Sequence, residues 1–338
     1  MKASWLADRI GWRQISEQLA EHRVPRRGYV FYLGGVTLYL FLVQVATGIL
    51  LMLYYQPDPQ AAFASVQRIA GGDVPYGHLV RNVHAWSSDL FVLALLTHLF
   101  LVLVRRTFRP PHELSWISGM LSLVLGVGLA FTGAVLPWNE NAYADAMVGS
   151  GLARNVPLVG GWLMRFMRGG RDIGAGTLGH AFGFHVAALP AALTMLIAVH
   201  LFFLSRKPPA QPEANVASIP LYPDFLVRQG VAFTGLTVVI MTLATFVERP
   251  LGVVADPAAP PIGARPPWYL LPFHQIIRAA PKELLGVDGA RFIASAVCLL
   301  GLVALALPFI DQRGSKITAW LAWGLLLILL LLSASALT

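Results

Sequence analysis

Apolar residues fall in seven long runs separated by polar stretches: 31–55, 83–104, 114–138, 181–204, 230–247, 292–310 and 317–337. Each approaches or exceeds the ~20 residues that a helix needs to cross a bilayer. The second run, VHAWSSDLFVLALLTHLFLVLV, and the fourth, AFGFHVAALPAALTMLIAVHLFFL, are interrupted by four histidines, His84 and His98 in one, His185 and His200 in the other. Fourteen or fifteen helical residues at ~1.5 Å each place the members of a pair about 21–22 Å apart. At ~100° per residue both members return to roughly one face. Residues 1–30 follow another pattern, polar with Trp5, Ile10, Trp12, Ile15 and Leu19 at helical spacing. That predicts an amphipathic helix lying on a membrane surface, not a signal peptide, because no apolar core follows a basic start. The predicted fold is therefore an all-α integral membrane protein of about seven spans with an N-terminal surface helix.

Composition sharpens this. Charged residues are 12% of the 338, against ~25% in soluble domains, and mean hydropathy is +0.64. The single cysteine, Cys298, lies inside the sixth run. One cysteine excludes an intramolecular disulfide, a CxxCH haem attachment and a cysteine-held iron–sulfur cluster. The net charge of +8 is spread over loops, which argues against nucleic-acid binding. Fourteen of the 25 Lys and Arg fall on the N-terminal side of the membrane, so the positive-inside bias predicts a cytoplasmic N-terminus.

Two connections, 139–180 and 248–291, are too long for turns, and loops of such length usually serve a site. The proline-rich stretch 205–229 reads as an inner linker. The expected organisation is a surface helix (1–30), a four-span part (31–204), the linker, and a three-span part (230–338).

The second and fourth spans run in the same direction, so His84 aligns with His185 on the outer side and His98 with His200 on the inner side. Two interhelical histidine contacts alone would leave costly polar groups in lipid, whereas two stacked bis-histidine haems would satisfy them. Gly34 and Gly48 in the first span, and Gly119 and Gly133 in the third, repeat the spacing of fourteen. The expectation is that they make room for the edge of a flat macrocycle. Small-residue helix packing is the alternative. Pro190 should kink the fourth span, and Arg81 is placed to pair with a haem propionate.

These residues resemble the cytochrome b family of Rieske/cytochrome b quinol-oxidising complexes, in particular its cytochrome b6 branch. The stretches YLGGVTLYLFLVQVATGILLMLYYQP (32–57), RNVHAWS (81–87), HELSW (112–116) and TGAVLPW (132–138) carry the likeness, as does the fifteen-residue spacing of His185 and His200. ADP (255–257) and PPWYLLPFHQIIRAAPKELLGV (266–287) are similar to the partner chain called subunit IV, so the two parts are fused here. The resemblance implies two b haems, quinol oxidation at an outer site, and electron delivery to a Rieske iron–sulfur protein, then a c-type cytochrome. It also implies quinone reduction at an inner site and a homodimeric complex in a bacterial cytoplasmic membrane. Outer-site candidates are Gly133, Trp138, Tyr143, Pro266, Trp268 and Tyr269; inner-site candidates are Arg206 and Asp224.

Two departures stand out. Where the family's PEWY motif carries a glutamate that takes a quinol proton, this chain has Pro267. His274, Glu140 and Asp145 are the nearby titratable groups, and His274 is the first choice as substitute. Departures at that glutamate accompany low-potential quinones in the family, which makes menaquinone a candidate. Tyr32 stands where the b6 branch tethers an extra haem through cysteine, so no covalent haem c is expected. His180 replaces an arginine before the first ligand of the fourth span. Asp89, five residues from His84, should be turned away from the ligand face, where a carboxylate ought to line a polar cavity or pair with a neighbour that the sequence does not reveal. The rival readings are a dihaem membrane anchor of another dehydrogenase or reductase, against which the PPWY loop argues, and a non-redox transporter, which predicts no haem.

Overall fold

A lipid-facing chain can satisfy its backbone polar groups only by closing them into helices or barrels. The apolar runs take the helical solution. The computed structural model describes residues 11–25, 29–206, 218–259, 265–312 and 316–336. In chain order the helices are α1 (Trp12–Glu21), α2 (Tyr29–Met52), α3 (Ala62–Ala70), α4 (Gly77–Arg105), α5 (Glu113–Val135), α6 (Glu140–Arg154) and α7 (Gly160–Arg168). Then come α8 (Ala175–Gly183), α9 (Leu189–Arg206), α10 (Leu226–Phe246), α11 (Leu271–Arg278), α12 (Gly289–Leu305), α13 (Leu307–Ile310) and α14 (Lys316–Ser335). Six described helical stretches are long and apolar enough to span, and α12 is a shorter apolar one. The protein is an integral membrane protein of mainly helical fold.

The first four spans form a bundle in which α2 packs on α4 and α5 on α9. Leu40, Phe41, Phe91, Leu129 and Leu193 fill its middle. Phe91 falls halfway between His84 and His98, and Leu193 between His185 and His200. An apolar layer therefore separates the two histidine levels.

Two breaks in helical regularity were not foreseen in full. Pro190 does mark an irregularity, but as a wide π-turn, Phe184–Ala188, between α8 and α9. The sixth run, expected as one span over 292–310, divides into α12 and α13 around Ala306. Pro308 has no N–H to return to the Ala304 carbonyl. The Trp116 indole on α5 donates to that carbonyl instead, at 2.9 Å.

Outside the spans, strand β1 (Arg23–Pro25) pairs antiparallel with β2 (Ser218–Pro220). This clasp holds the N-terminal segment against the second half of the 205–229 linker, at the end of the bundle that carries His98. The amphipathic helix is present as α1, Ile15 and Leu19 included; Trp5 and Ile10 lie outside the described residues.

Candidate haem and quinol site

Each predicted glycine faces one predicted histidine. A Cβ on Gly34 would stand 3.3 Å from His98 Cε1, on Gly48 3.4 Å from His84, on Gly119 3.3 Å from His200, and on Gly133 2.6 Å from His185. The glycines thus make room for the imidazoles themselves, not only for the edge of a macrocycle as the spacing suggested. With the Cε1 edge of each ring set against the glycine, its swing is restricted.

Hydrogen bonds settle which ring nitrogen is free. His185 Nδ1–H donates to the Leu129 carbonyl at 3.0 Å, an atom that can only accept. The Thr47 hydroxyl spends its hydrogen on Val43 O at 2.7 Å, so it accepts from His84 Nδ1–H at 2.8 Å. The Ser118 hydroxyl likewise donates to Ser115 O at 3.0 Å and accepts from His200 Nδ1–H at 3.0 Å. In these three imidazoles a proton sits on Nδ1, which in the neutral ring leaves the Nε2 lone pair free, the form in which histidine binds a metal. His98 Nδ1 is buried without a hydrogen-bond partner. The His84 and His185 ring centroids lie 6.1 Å apart with their planes at 82°. Two imidazoles bound to one metal at about 2 Å per nitrogen would have centroids about 6 Å apart. The outer pair is spaced as two histidines that would hold one metal between them; His98 and His200 lie within electrostatic reach of each other at the inner level.

A cavity of about 470 Å³ opens between the outer pair and continues past Arg81, Asp89 and Arg249 to Pro267 and Tyr269. Just past Leu136 and Pro137, which line it, distant segments are stitched together. Trp138 packs edge-on against Tyr143, centroids 6.2 Å apart. Asn139 caps α6 by accepting from Ala142 N at 2.8 Å and donates to Leu251 O, while Glu140 N donates to Val253 O at 3.0 Å. The two long outer loops are thereby fastened to each other.

Asp89 both lines a cavity and pairs with a neighbour, the two placements expected for it, and the cavity is the one that His84 and His185 line. Five residues rotate it ~140° from His84. Its partners come from far along the chain: Oδ2 pairs with Arg249, and Oδ1 accepts from the Trp268 indole at 2.9 Å. Arg249 also lies over the Trp86 ring, 3.8 Å from its centroid. Arg81 donates to Arg249 O at 2.7 Å, so its guanidinium helps shape the cavity wall.

Pro266 and Tyr269 are buried and Trp268 is partly exposed. The Tyr269 hydroxyl is buried with no hydrogen-bond partner; burial raises its pKa above the usual tyrosine value, and Asp145 and then Asp89 add to that. Asp145 on α6 is buried too, and desolvation lifts its carboxyl from 3.8 to about 7. His274, on α11, does not line the cavity. Burial and the neighbouring Arg278 lower its proton affinity. His180 Nδ1 meets Phe166 O at 2.7 Å, outside the bundle. At the inner end, Arg206 lies over Phe202 and Asp224 is exposed. No ion pair joins these two among the described residues.

Family comparison places the chain. Residues 20–208 match the model described as cytochrome b/b6/petB, and residues 254–338 match cytochrome b(C-terminal)/b6/petD. The chain belongs to the cytochrome b/b6 family. It is 34% identical over 325 residues to the "cytochrome bc complex cytochrome b subunit" of Chlorobaculum thiosulfatiphilum, covering 93% of this chain and 74% of that one. Over 204 residues it is 39% identical to the "cytochrome b6" of Heliobacterium mobile, covering 60% of this chain and 95% of that one. A chain of a solved "hyperthermophilic respiratory Complex III" superposes with a TM-score of 0.85 at 23% identity, covering 99% of this chain and 91% of that one. Membership of the cytochrome b family implies b-type haem, and the donor set described above suits it.

Proposed function

We propose that this cytochrome b is the membrane subunit of a quinol:cytochrome c oxidoreductase of the Rieske/cytochrome b type, in which His84/His185 hold an outer haem and His98/His200 an inner one. When bound, the haems supply single-electron transfer from one membrane face to the other. The protein's part is to hold four imidazoles at two depths, seat them on glycine, and keep an apolar layer between the levels. Quinol would enter the outer chamber between the Trp138–Tyr143 pair and the Pro266–Tyr269 loop. A Rieske protein and then a c-type cytochrome would take the first electron, and an inner quinone bound near Arg206 and Asp224 would take the second. The protein would lie in a bacterial cytoplasmic membrane with its N-terminus inside, within a homodimeric complex, and menaquinol is the substrate candidate.

The observation that carries this reading is the shared chamber: the cavity walled by His84 and His185 is also walled by Pro267 and Tyr269. A simple anchor has no need of a cavity that runs from its haem ligands to the PPWY loop. Purification of the native assembly tests it. Two b haems in the reduced-minus-oxidised spectrum, a co-purifying Rieske protein and oxidation of added quinol are expected. One haem, or no iron–sulfur partner, would return the anchor reading.

A further inference from the structure

Oxidation of a quinol sheds protons, so a chamber that performs it needs a base on its wall. Pro267 offers none. Of the titratable groups that do line the cavity, Arg81 and Arg249 carry their protons already. His84 and His185 are assigned to the outer haem. The Tyr55 hydroxyl donates to Leu136 O at 2.8 Å, and the hydroxyl of Tyr269 is sealed in protein. Among the lining residues one carboxylate remains, Asp89.

The ion pair with Arg249 does not close Asp89 off. Its side chain is 32% exposed and that of Arg249 35%, and both residues line the cavity. Arg249 takes Oδ2, and the Trp268 indole donates to Oδ1 at 2.9 Å. A carboxylate has about four lone-pair positions, so two such bonds leave one on each oxygen. Trp268 directly follows Pro267, and its bond therefore fastens the carboxylate to the loop where the loop has no acid of its own. Arg249 also has a second seat, over the Trp86 ring at 3.8 Å from its centroid. A cation–π contact still holds a guanidinium when its carboxylate partner is neutralised. Arg81 donates to the Arg249 carbonyl at 2.7 Å and so steadies the segment that carries the cation. A carboxylate within a membrane span is costly, and here three separate stretches of chain converge to hold one in a cavity wall.

We propose that Asp89 is the base for quinol at the outer site. A quinol hydroxyl donates to a free lone pair of the carboxylate and leaves its proton there. The quinol O–H bond breaks, an O–H bond forms on Asp89, and the electron goes to the iron–sulfur centre of the Rieske partner. A hydroquinone becomes strongly acidic as it loses an electron, so an ion-paired carboxylate has enough driving force to take the proton. Arg249 and Trp268 are positioning residues, which hold the carboxylate and take no proton. The inference rests on the quinol-oxidising reading above.

The test is steady-state oxidation of a short-chain naphthoquinol by the purified complex, with a c-type cytochrome as acceptor. The dithionite-reduced spectrum reports the haems of each variant. Asp89→Asn keeps the shape and an oxygen for the Trp268 indole. It should lower kcat at least tenfold, with KM changed less than threefold and both haem bands retained. Asp89→Glu should recover part of the rate. Asp89→Ala leaves room for a small acid, and added formate should restore its rate several-fold without affecting the wild type. Arg249→Gln and Trp268→Phe disturb the clasp but leave the base, so each should cost less than Asp89→Asn. An Asp89→Asn complex with the wild-type kcat would overturn the proposal. So would loss of either haem band in that variant, or equal losses in Asp89→Asn and Trp268→Phe with no response of Asp89→Ala to formate. Those are the marks of a residue that only holds the fold. A wild-type complex that carries both haems and yet oxidises no quinol would remove the functional reading, and this inference with it.

Discussion

Four glycines decide how firmly the imidazoles are held, and they are not equivalent. A methyl group on Gly133 would come within 2.6 Å of the His185 ring, against 3.4 Å for Gly48 and His84. Overpacking costs about 1–3 kcal/mol when neighbours cannot move, and a ring bonded to Leu129 O cannot. Gly133→Ala should therefore deplete the outer b-type band by more than half, while Gly48→Ala should leave most of it; low-temperature difference spectra would separate the two. The histidines and glycines were legible because each declares itself by spacing within an apolar run. Asp89 and Asp145 were not. The partner that holds Asp89 is 160 residues away, and nothing local distinguishes a buried Asp145 from a solvated one. His274 follows the PPWY loop in sequence and sits on α11, and neither it nor Asp145 is among the residues that wall the chamber. Burial of Asp145 also has a stability consequence. Its folded-state pKa is raised from 3.8 to about 7, so the folded protein binds more protons than the unfolded chain across that window and loses stability as pH rises through it. Asp145→Asn should remove that loss. Its thermal midpoint at pH 8 should exceed the wild-type value, with up to about 4 kcal/mol available from three pKa units.

Among the elements, the π-turn Phe184–Ala188 explains a numerical mismatch. His84 and His98 are fourteen residues apart and His185 and His200 fifteen, yet both pairs must meet across the bundle. A π-bulge inserts one residue without advancing the rest of the helix by a full step, so fifteen residues keep the phase of fourteen. Deleting Ala187 within the turn should convert it to ordinary helix and preserve both haems. Deleting Thr194 beyond it should rotate His200 by ~100° relative to His185 and abolish the inner haem. Haem content per protein, measured by pyridine haemochrome, reads both. Hydropathy gave the positions of the spans to within a few residues because lipid admits so few alternatives. It could not give the wide turn, or the division of α12 from α13, because both depend on where freed carbonyls find donors. Ala304 finds one in Trp116, on another span.

At the scale of the whole molecule, the four-span and three-span parts are bound by polar ties as well as by the linker. Asp89–Arg249, Asn82 to Ala244 O at 3.1 Å, Trp86 to Val247 O at 2.9 Å and Trp116 to Ala304 O all cross between them. The Asn139 cap ties the outer loops together near the same chamber. Asn139→Ala should cost about 1 kcal/mol through the lost cap and loosen residues 251–254 as well. A several-fold rise in KM for quinol with a smaller change in kcat is the expected result.

The β1–β2 clasp has a consequence in time. Arg23 meets Ser218 across 195 residues, with Nε on the serine hydroxyl at 3.0 Å and Nη2 on its carbonyl at 3.1 Å. A ribosome adding 5–20 residues per second needs roughly 10–40 s to make that stretch. The start of the nascent chain must therefore wait, unlatched, until four helices have entered the bilayer. Closure of the clasp would mark the moment when the first bundle is complete and the second part begins to insert.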